Sequence, residues 1–241
     1  MGVVIDEKVL ERFWEINKKE KEGVDNVGEI NNPVLEEKIN IAKESLKYLL
    51  LFNWVKFVAI SGSVASGFAK DEDDIDIFVV VKNDRLWIYR AVLLFRNIFH
   101  KNIRVGEGPK DVKDKLCMNF LIEERDLELD EDMFNLNEII SLIPIYNESY
   151  YSNILYYNPW LFDKYLVSKK NLVNGGEEIC NMRFCFLALL NLLCFVAQLS
   201  YMYIAKHDPD MNRIWNNYKR GRIEFFPKDF REEKLKELEG R

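Results

Sequence analysis

The chain is predicted to have an α+β fold, in which a small mixed sheet of α/β character is followed by an all-helical domain. Three short apolar runs, at residues 56–60, 75–81 and 116–122, are typical of buried strands. Segments with apolar residues at helical spacing lie before, between and after these runs. Because only the helical spacing continues beyond about residue 126, the sheet is expected in the first half of the chain and a helical domain in the second.

Two helices are predicted before the first strand. The first carries Val9 and Phe13 on one apolar side. The second has Asn32 in the N-cap position and Pro33 at its first helical position, a combination typical of helix starts. The polar, turn-rich stretch 23–32 between them is expected to be a loop.

Helices and turns account for the rest of the predicted elements. A helix is predicted over 85–99, and glycines and a proline at 106–109 break the chain before the strand at 116–122. Further helices are predicted over 133–142, 149–166, 176–206, 212–219 and 229–238. The chain is therefore divided into residues 1–128, which hold the sheet and the two N-terminal helices, and residues 129–241, the helical domain.

Composition and charge indicate a folded protein with an acidic balance. Of the 241 residues, 48% are hydrophobic and 13% are aromatic, which is enough for a globular core. The formal net charge of −6 and an isoelectric point near 5.2 argue against a surface built to hold long nucleic acid. The basic stretch 219–222 is interpreted as a solvated face, with contact to nucleic acid as the alternative.

The cysteines and histidines limit the chemistry and the cellular location. The four cysteines have no pair at the spacing of a zinc knuckle, and the N-terminus shows no secretory leader. They are interpreted as reduced core thiols of a cytoplasmic protein. The two histidines leave little room for histidine-based catalysis or a histidine-rich metal site. The four cysteines are Cys117, Cys180, Cys185 and Cys194.

One segment is apolar enough to raise the question of a membrane. Residues 184–204 are almost entirely apolar and approach the ~20 residues that span a bilayer. Asn191, Gln198 and Ser200 interrupt the segment, and no aromatic belt with a basic flank is clear at either end. A buried central helix of a bundle is therefore the preferred interpretation, with a membrane span as the alternative, and no membrane partner is expected.

The residues most informative about chemistry lie in a small-residue turn and the strand that follows it. Gly62 and Ser63 come directly after the first apolar run, and Asp74 and Asp76 follow eleven and thirteen residues after Ser63. Side chains two residues apart on a strand share a face, so both carboxylates can hold one divalent ion or a close pair of ions. The turn offers backbone N–H groups and hydroxyls, including that of Ser66, that can hold phosphate oxygens.

An alternative for this region is an acidic loop at 71–74 that leads into an ordinary strand. It is disfavoured because a second inward carboxylate on a buried strand is costly without a cation to neutralise it. Lys70, Arg85 and Arg90 are further candidates for contact with a triphosphate. For the two arginines, a solvated helix face is the preferred interpretation.

An apolar strand, a Gly-Ser pair and an Asp-hydrophobic-Asp strand together resemble the pattern of the DNA polymerase β-like nucleotidyltransferase superfamily. The matching residues are Gly62, Ser63, Asp74 and Asp76. The resemblance implies a transferase that uses two metal ions, Mg²⁺ with Mn²⁺ as a substitute, to move a nucleoside monophosphate from an NTP such as ATP to an acceptor. Over residues 55–166, the order of elements is also similar to that of poorly characterised prokaryotic nucleotidyltransferase-domain proteins.

The resemblance also implies a third acidic residue on a neighbouring strand. The only polar residue within the strand predicted at 116–122 is Asn119, so the expected catalytic set is Asp74, Asp76 and Asn119, with the two aspartates as metal ligands. An amide oxygen can bind Mg²⁺ but neither neutralises it nor readily accepts a proton. Nucleotide binding is therefore expected to survive more easily than fast transfer. The alternative for Asn119 is a buried amide satisfied by backbone groups.

Hypotheses from different classes are consistent with these residues. The leading one is a Mg²⁺-dependent nucleotidyltransferase that acts on a hydroxyl of a small molecule, an RNA end or a protein. The acidic balance favours a small molecule or a protein over long nucleic acid. The alternative is a catalytically degenerate MgNTP-binding sensor or regulatory module that has lost transfer because of Asn119. A structural protein that associates through its helical half, and a homodimer, also stay open.

Overall fold

The structure is a computed structural model of the chain. The residues that it describes are 33–67, 69–104, 112–161, 184–204 and 211–224. The helix predicted around Val9 and Phe13, the loop at 23–32 and the helix predicted over 229–238 lie outside these residues.

A five-stranded mixed sheet organises the described structure. In it β1 runs antiparallel to both β2 and β4, β2 runs parallel to β3, and β3 runs antiparallel to β5. The predicted α+β class with a mixed sheet is thereby confirmed. The strands are β1 (Val55–Ile60), β2 (Ile75–Val81), β3 (Leu116–Glu123), β4 (Ile143–Tyr146) and β5 (Arg222–Glu224), in the spatial order β4-β1-β2-β3-β5.

Helices α1 to α8 pack against this sheet or connect its strands. They are α1 (Pro33–Glu44), α2 (Leu46–Leu49), α3 (Gly62–Ala65), α4 (Leu86–His100), α5 (Met133–Ser141), α6 (Tyr151–Tyr157), α7 (Phe184–Ile204) and α8 (Met211–Arg220). Pro33 begins α1 as predicted. The helix predicted over 149–166 ends instead at Tyr157 as α6, because Pro159 has no N–H to continue it and its ring disfavours a helical Asn158.

The described residues of the second half of the chain are mostly helical but contribute two short strands to the sheet. Ile143 of β4 pairs with Ile60 of β1, and Ile223 of β5 pairs with Leu121 of β3. Strands this short carry little sequence signal of their own, and the edges of the sheet decide their conformation. The domain boundary near residue 128 stays a prediction, and a division there separates these two strands from the sheet they complete.

The two faces of the sheet bury two apolar cores. Along β2 the odd-numbered residues, such as Ile77 and Val79, pack with α1, α4 and α7. The even-numbered Phe78 and Val80 pack on the other face with α5 and α6. This alternation explains the continuous apolar run of β2, since a strand covered on both faces needs apolar residues at every position. Asp76 shares the face of Phe78 and Val80 by the same alternation.

The long apolar helix α7 is covered on one side only. Asn191 and Phe195 are each 2% exposed, whereas Phe186 is 73% exposed and Leu193 is 57% exposed. The prediction of a buried central helix is therefore wrong for the described residues: α7 packs along α4 and leaves an apolar side uncovered there. Its residues Phe186–Ile204, with a mean hydropathy of 1.8, are long and apolar enough to cross a membrane, a criterion that core helices also meet.

Polar residues of α7 hold it against α4. The Asn191 side-chain oxygen accepts hydrogen bonds from the backbone N–H groups of Trp87 (2.9 Å) and Ile88 (3.3 Å), at the first turn of α4. The Gln198 amide donates to the Trp87 carbonyl (2.9 Å). Asn191 thus satisfies two backbone N–H groups at the start of a neighbouring helix, which otherwise lack intrahelical partners, and Gln198 adds a second contact between the two helices.

Candidate metal and nucleotide site

The two aspartates of the motif lie at the start of β2, near the turn that follows β1. Asp74 directly precedes the strand, and Asp76 is its second residue. Because β2 lies between β1 and β3, groups from both neighbours reach these carboxylates. Asp76 is opposite Cys117 in the parallel ladder with β3. One potential ligand atom from each of Asp74, Asp76 and Cys117 lies within 4.8 Å of the others.

Gly62 has no side chain because the turn passes directly over Asp76. Its φ is +63°, a left-handed conformation that favours glycine. A Cβ at this position would lie 2.1 Å from Oδ2 of Asp76. The neighbouring Ser61 N–H donates to the Asp76 carbonyl (2.9 Å), which holds the turn in this place. The glycine predicted as a site residue is therefore required by its contact with the aspartate.

The two serines of the turn have different hydrogen-bond partners. Ser63 Oγ donates to Asp73 Oδ2 at 3.3 Å, so its hydroxyl points toward the acidic loop. Ser66 Oγ donates to the Gly62 carbonyl at 2.6 Å, within the same turn. Their proposed contacts with a nucleotide stay predictions. In the structure Ser63 connects the turn to the loop, and Ser66 closes the short helix α3.

Lys38 of α1 forms hydrogen bonds with the backbone of the acidic loop at 71–74. Its ammonium group donates to the carbonyls of Asp71 (3.1 Å) and Asp73 (2.8 Å) and to the carboxylate of Asp114 (2.8 Å), and the residue is 1% exposed. The backbone N–H of Lys70 donates to Asp73 Oδ2 (2.8 Å). Sequence reasoning did not select Lys38. Its spacing from the apolar Leu35 and Ala42 on the inner side of the helix was the available signal.

Arg104 supplies a cation to one of the two aspartates. Its guanidinium Nη1 lies 2.6 Å from Asp74 Oδ2, and this hydrogen bond raises the pKa of the arginine. Desolvation, together with the negative charge of Asp74, raises the pKa of Asp76 to about 7. The pair therefore carries negative charge that one arginine compensates incompletely. Arg104 was also missed by sequence reasoning, because it is distant in sequence from both aspartates.

The donor set fits a divalent cation. Two carboxylates two residues apart project on one face. The turn at Gly62 leaves no room for a side chain between its backbone and the Asp76 carboxylate. The guanidinium of Arg104, which is itself a cation, already contacts Asp74. Oxygen donors of this kind are the ligands that hard divalent cations prefer. Asp74 and Asp76 are the residues that would hold such an ion, and their role as metal ligands stays a prediction.

β3 brings Cys117, rather than a carboxylate, to the aspartates. The ladder pairs Asp76 with Cys117 and Phe78 with Phe120, so an irregularity lies between these pairs and Asn119 falls within it. The side chain of Asn119 lies outside what the structure describes, and its catalytic role stays a prediction. Burial and the two aspartates raise the pKa of the Cys117 thiol. The sequence pattern could not select Cys117, since the register of β3 against β2 decides which residue faces Asp76.

Of the basic residues considered for triphosphate contact, Lys70 lies in the acidic loop beside the site, whereas the two arginines lie elsewhere. Arg85 follows the opposite end of β2, where its guanidinium donates to the Asn83 carbonyl. Arg90 of α4 donates to the Gln198 side chain of α7. Neither arginine has the solvated-helix environment expected from sequence alone: Arg90 packs between two helices, and its burial lowers its pKa to about 10.

The sequence of this region matches a known family. Residues 39–147 match the family described as "Nucleotidyltransferase domain". No curated protein and no solved structure matched the chain. The segment contains Gly62, Asp74, Asp76 and Cys117, together with strands β1 to β4. Residues 39–147 are therefore similar to a nucleotidyltransferase domain, consistent with the polymerase β-like superfamily that the motif resembles. The match extends past residue 128 and includes α5 and β4.

Proposed function

We propose that this protein transfers a nucleoside monophosphate from an NTP, such as ATP, to a hydroxyl group of an acceptor. The observation that carries the proposal is the contact between the Gly62 turn and the Asp76 carboxylate, within a segment that matches the nucleotidyltransferase family. Asp76 lies against this turn and a carboxylate oxygen of Asp74 is within 4.8 Å of one of Asp76, so a triphosphate held at the turn would meet the pair.

Each residue of the site has a specific role in the proposed reaction. Asp74 and Asp76 hold the divalent cation, which, when bound, neutralises phosphate charge in the reaction. The Gly62 turn lets the backbone approach the phosphates closely, and the Ser63 hydroxyl lies beside it. Lys38 fixes the backbone of the loop before Asp74 by binding two of its carbonyls. Positioning of this kind is a major contribution in phosphoryl and nucleotidyl transfer.

Mg²⁺ is the ion that the family resemblance implies for this activity, with Mn²⁺ able to replace it and a second ion shared by the same carboxylates. The net charge of −6 favours a small molecule or a protein as acceptor over long nucleic acid, with an RNA end as a further candidate. A cytoplasmic location, where NTP and Mg²⁺ are available, belongs to the same proposal.

A second candidate function is a MgNTP-binding sensor that transfers nothing. It is favoured by the composition of the cluster: among the described residues, Asp74 and Asp76 are joined by the Cys117 thiol rather than by a third carboxylate. A thiol is a weaker acceptor for the proton of an attacking hydroxyl while it is held protonated by burial. Binding then persists without fast transfer.

One experiment separates the two functions. The purified protein is incubated with each of the four NTPs labelled at the α-phosphate, with Mg²⁺ or Mn²⁺. Pools of small molecules, RNA and protein from cell extract serve as acceptors. Transfer is measured as pyrophosphate release and as label that enters one pool. Asp76→Asn should abolish the signal. Asp71→Asn, which changes an exposed carboxylate of the same loop, serves as the matched control.

The outcomes are distinct for each function. Label in an acceptor pool that depends on Asp76 supports the transferase. Cation-dependent NTP binding by calorimetry, lost in Asp76→Asn and without release of pyrophosphate, supports the sensor. NTP binding that is indifferent to the cation and to Asp76 contradicts both.

A further inference from the structure

Cys117 is a buried thiol that lies beside two carboxylates. The residue is 4% exposed and forms no disulfide. Its neighbours in β3, Leu116 and Met118, pack in the core on one face of the sheet, whereas the sulfur of Cys117 lies within 4.8 Å of a carboxylate oxygen of both Asp74 and Asp76. A free cysteine that fills a core packs among apolar groups. This one is directed at charged oxygen atoms instead.

The surroundings of the thiol are two carboxylates. Cys117 is opposite Asp76 in the β2–β3 ladder. Ligand atoms of the three residues lie within 4.8 Å of one another, a spacing that allows all three to contact one ion. The guanidinium of Arg104 on Asp74 is an independent sign that this space attracts positive charge.

A sulfur donor changes which ion such a site prefers. Mg²⁺ requires near-octahedral oxygen coordination and rarely accepts sulfur. Divalent transition ions such as Co²⁺ and Zn²⁺ bind thiolate together with carboxylate, and sulfur strengthens their binding relative to Mg²⁺. The donor set of two carboxylates and one thiolate is therefore unlike an all-oxygen magnesium site.

We propose that Cys117 is the third protein ligand of the cation site and that the site binds a transition ion of the Co²⁺ or Zn²⁺ class in preference to Mg²⁺. The proposal rests on the cation site of the proposed function and specifies its metal. On binding, the thiol proton is released to solvent and the sulfur forms a bond to the ion. The activity would then be supported by transition ions at concentrations at which Mg²⁺ does not occupy all protein ligands.

Titration of the full-length protein with Co²⁺ tests the ligand directly. A thiolate bound to Co²⁺ produces a charge-transfer absorption band in the near ultraviolet, which carboxylate ligands do not produce. We expect this band in the wild type, its loss in Cys117→Ser, and a fall in Co²⁺ affinity of at least about tenfold. A variant with Cys180, Cys185 and Cys194 all changed to Ser retains Cys117 and should retain the band.

A complementary variant tests the metal preference. Cys117→Asp supplies an oxygen donor in place of sulfur, so the ratio of Co²⁺ to Mg²⁺ affinity should fall by about tenfold or more. Affinities are measured by calorimetry, and circular dichroism confirms folding. If Cys117→Ser does not fold, protection of Cys117 from iodoacetamide by Co²⁺ in the wild type, read by mass spectrometry, provides the same test.

A charge-transfer band that persists in Cys117→Ser overturns the proposal, as does Co²⁺ binding to the wild type without a band. These results are separable from failure of the proposed function. A band that depends on Cys117 in a protein that transfers no nucleotide supports this inference and contradicts transfer. Nucleotide transfer with Mg²⁺ in a protein that shows no band supports transfer and contradicts this inference.

Discussion

Strand β2 and helix α7 are both highly apolar in sequence, yet the structure covers them differently. Every residue of Ile75–Val81 except Asp76 is buried, because helices and neighbouring strands surround β2 on all sides. In α7, Phe195 is buried while Leu193, two residues earlier, is exposed. Hydropathy indicates that a segment can be buried, and only the neighbouring elements decide on how many sides.

The polar residues of the two segments also differ in how completely they are paired. In α7, Asn191 and Gln198 satisfy backbone groups of α4, which is a structural role. At the start of β2, Asp76 faces another carboxylate and has a pKa raised to about 7. Buried polar groups are normally satisfied. An incompletely compensated pair in an otherwise ordered sheet therefore indicates a site for a cation.

The largest expected effect is at Asp76. Asp76→Asn keeps the shape of the side chain and removes its charge, so nucleotide transfer should fall by about 10³-fold or more because the cation is no longer held. The free energy of unfolding of the cation-free protein at pH 8 should not fall, since an uncompensated charge is removed. Transfer assays and denaturant titrations measure the two quantities. Unchanged transfer would mean that Asp76 has no functional role, and that the polar residues of β2 and α7 do not differ in function.

The two sides of α7 should respond very differently to truncation. Phe195→Ala removes a buried ring that contacts Trp87 and Tyr218, and we expect a loss of about 3–5 kcal/mol in the free energy of unfolding. Leu193→Ala on the exposed side should change it by about 0.5 kcal/mol or less. Urea titration monitored by circular dichroism measures both. Comparable losses in the two variants would mean that the side of Leu193 is covered in solution.

Gly62→Ala tests the contact between the turn and Asp76. The added Cβ would lie 2.1 Å from the carboxylate oxygen and would occupy a left-handed backbone conformation, so the turn or the aspartate must move. We expect a destabilisation of about 1–3 kcal/mol and a weaker cation affinity. Gly67→Ala is the matched control: φ is +81° there too, but no atom lies within 4 Å of the added Cβ. Equal cation affinities in the two variants would argue against a specific role for Gly62.

The pH dependence of stability follows from the raised pKa of Asp76. The pKa is about 7 in the folded, cation-free protein against an ordinary value of 3.8, so between these values the folded state binds a proton that the unfolded chain has lost. Stability without a cation should therefore decrease as pH rises from about 4 to about 7. A divalent cation competes with this proton, and the increase in Tm that it causes should be larger at pH 8 than at pH 6. In Asp76→Asn this difference should disappear; a larger increase at pH 6 in the wild type contradicts the assignment.

The smallest expected effect is at Arg104. The Arg104 side chain is about one-third exposed, and its ion pair with Asp74 competes with a bound cation, so Arg104→Ala should raise cation affinity by about fivefold or less. Arg104→Lys retains the charge and should lie between the two. Calorimetric titration at low ionic strength makes the difference largest. A decrease in affinity for Arg104→Ala would show that the arginine supports the cation site.

The parts of the fold and site that could be predicted are those specified by local patterns. Gly62, Asp74 and Asp76 were selected from their spacing and from strand parity, and the contact between Gly62 and Asp76 explains why the spacing matters. Lys38 and Arg104 were missed because they are distant in sequence from the motif and reach it only through packing. Cys117 was interpreted as a core thiol. The register between β2 and β3 decides which residue lies opposite it, and the local sequence pattern does not specify that register.

The amino-acid sequence alone was sufficient for the α+β class, the strands β1 to β3, the similarity to nucleotidyltransferases and the proximity of the two aspartates, because apolar periodicity and a short motif are local properties of the chain. The tertiary structure decided the pairing of β4 and β5 with the sheet, the one-sided burial of α7 and the placement of Cys117 beside Asp74 and Asp76. Each of these depends on contacts between residues far apart in sequence, and their energies come from burial and register that no single segment contains.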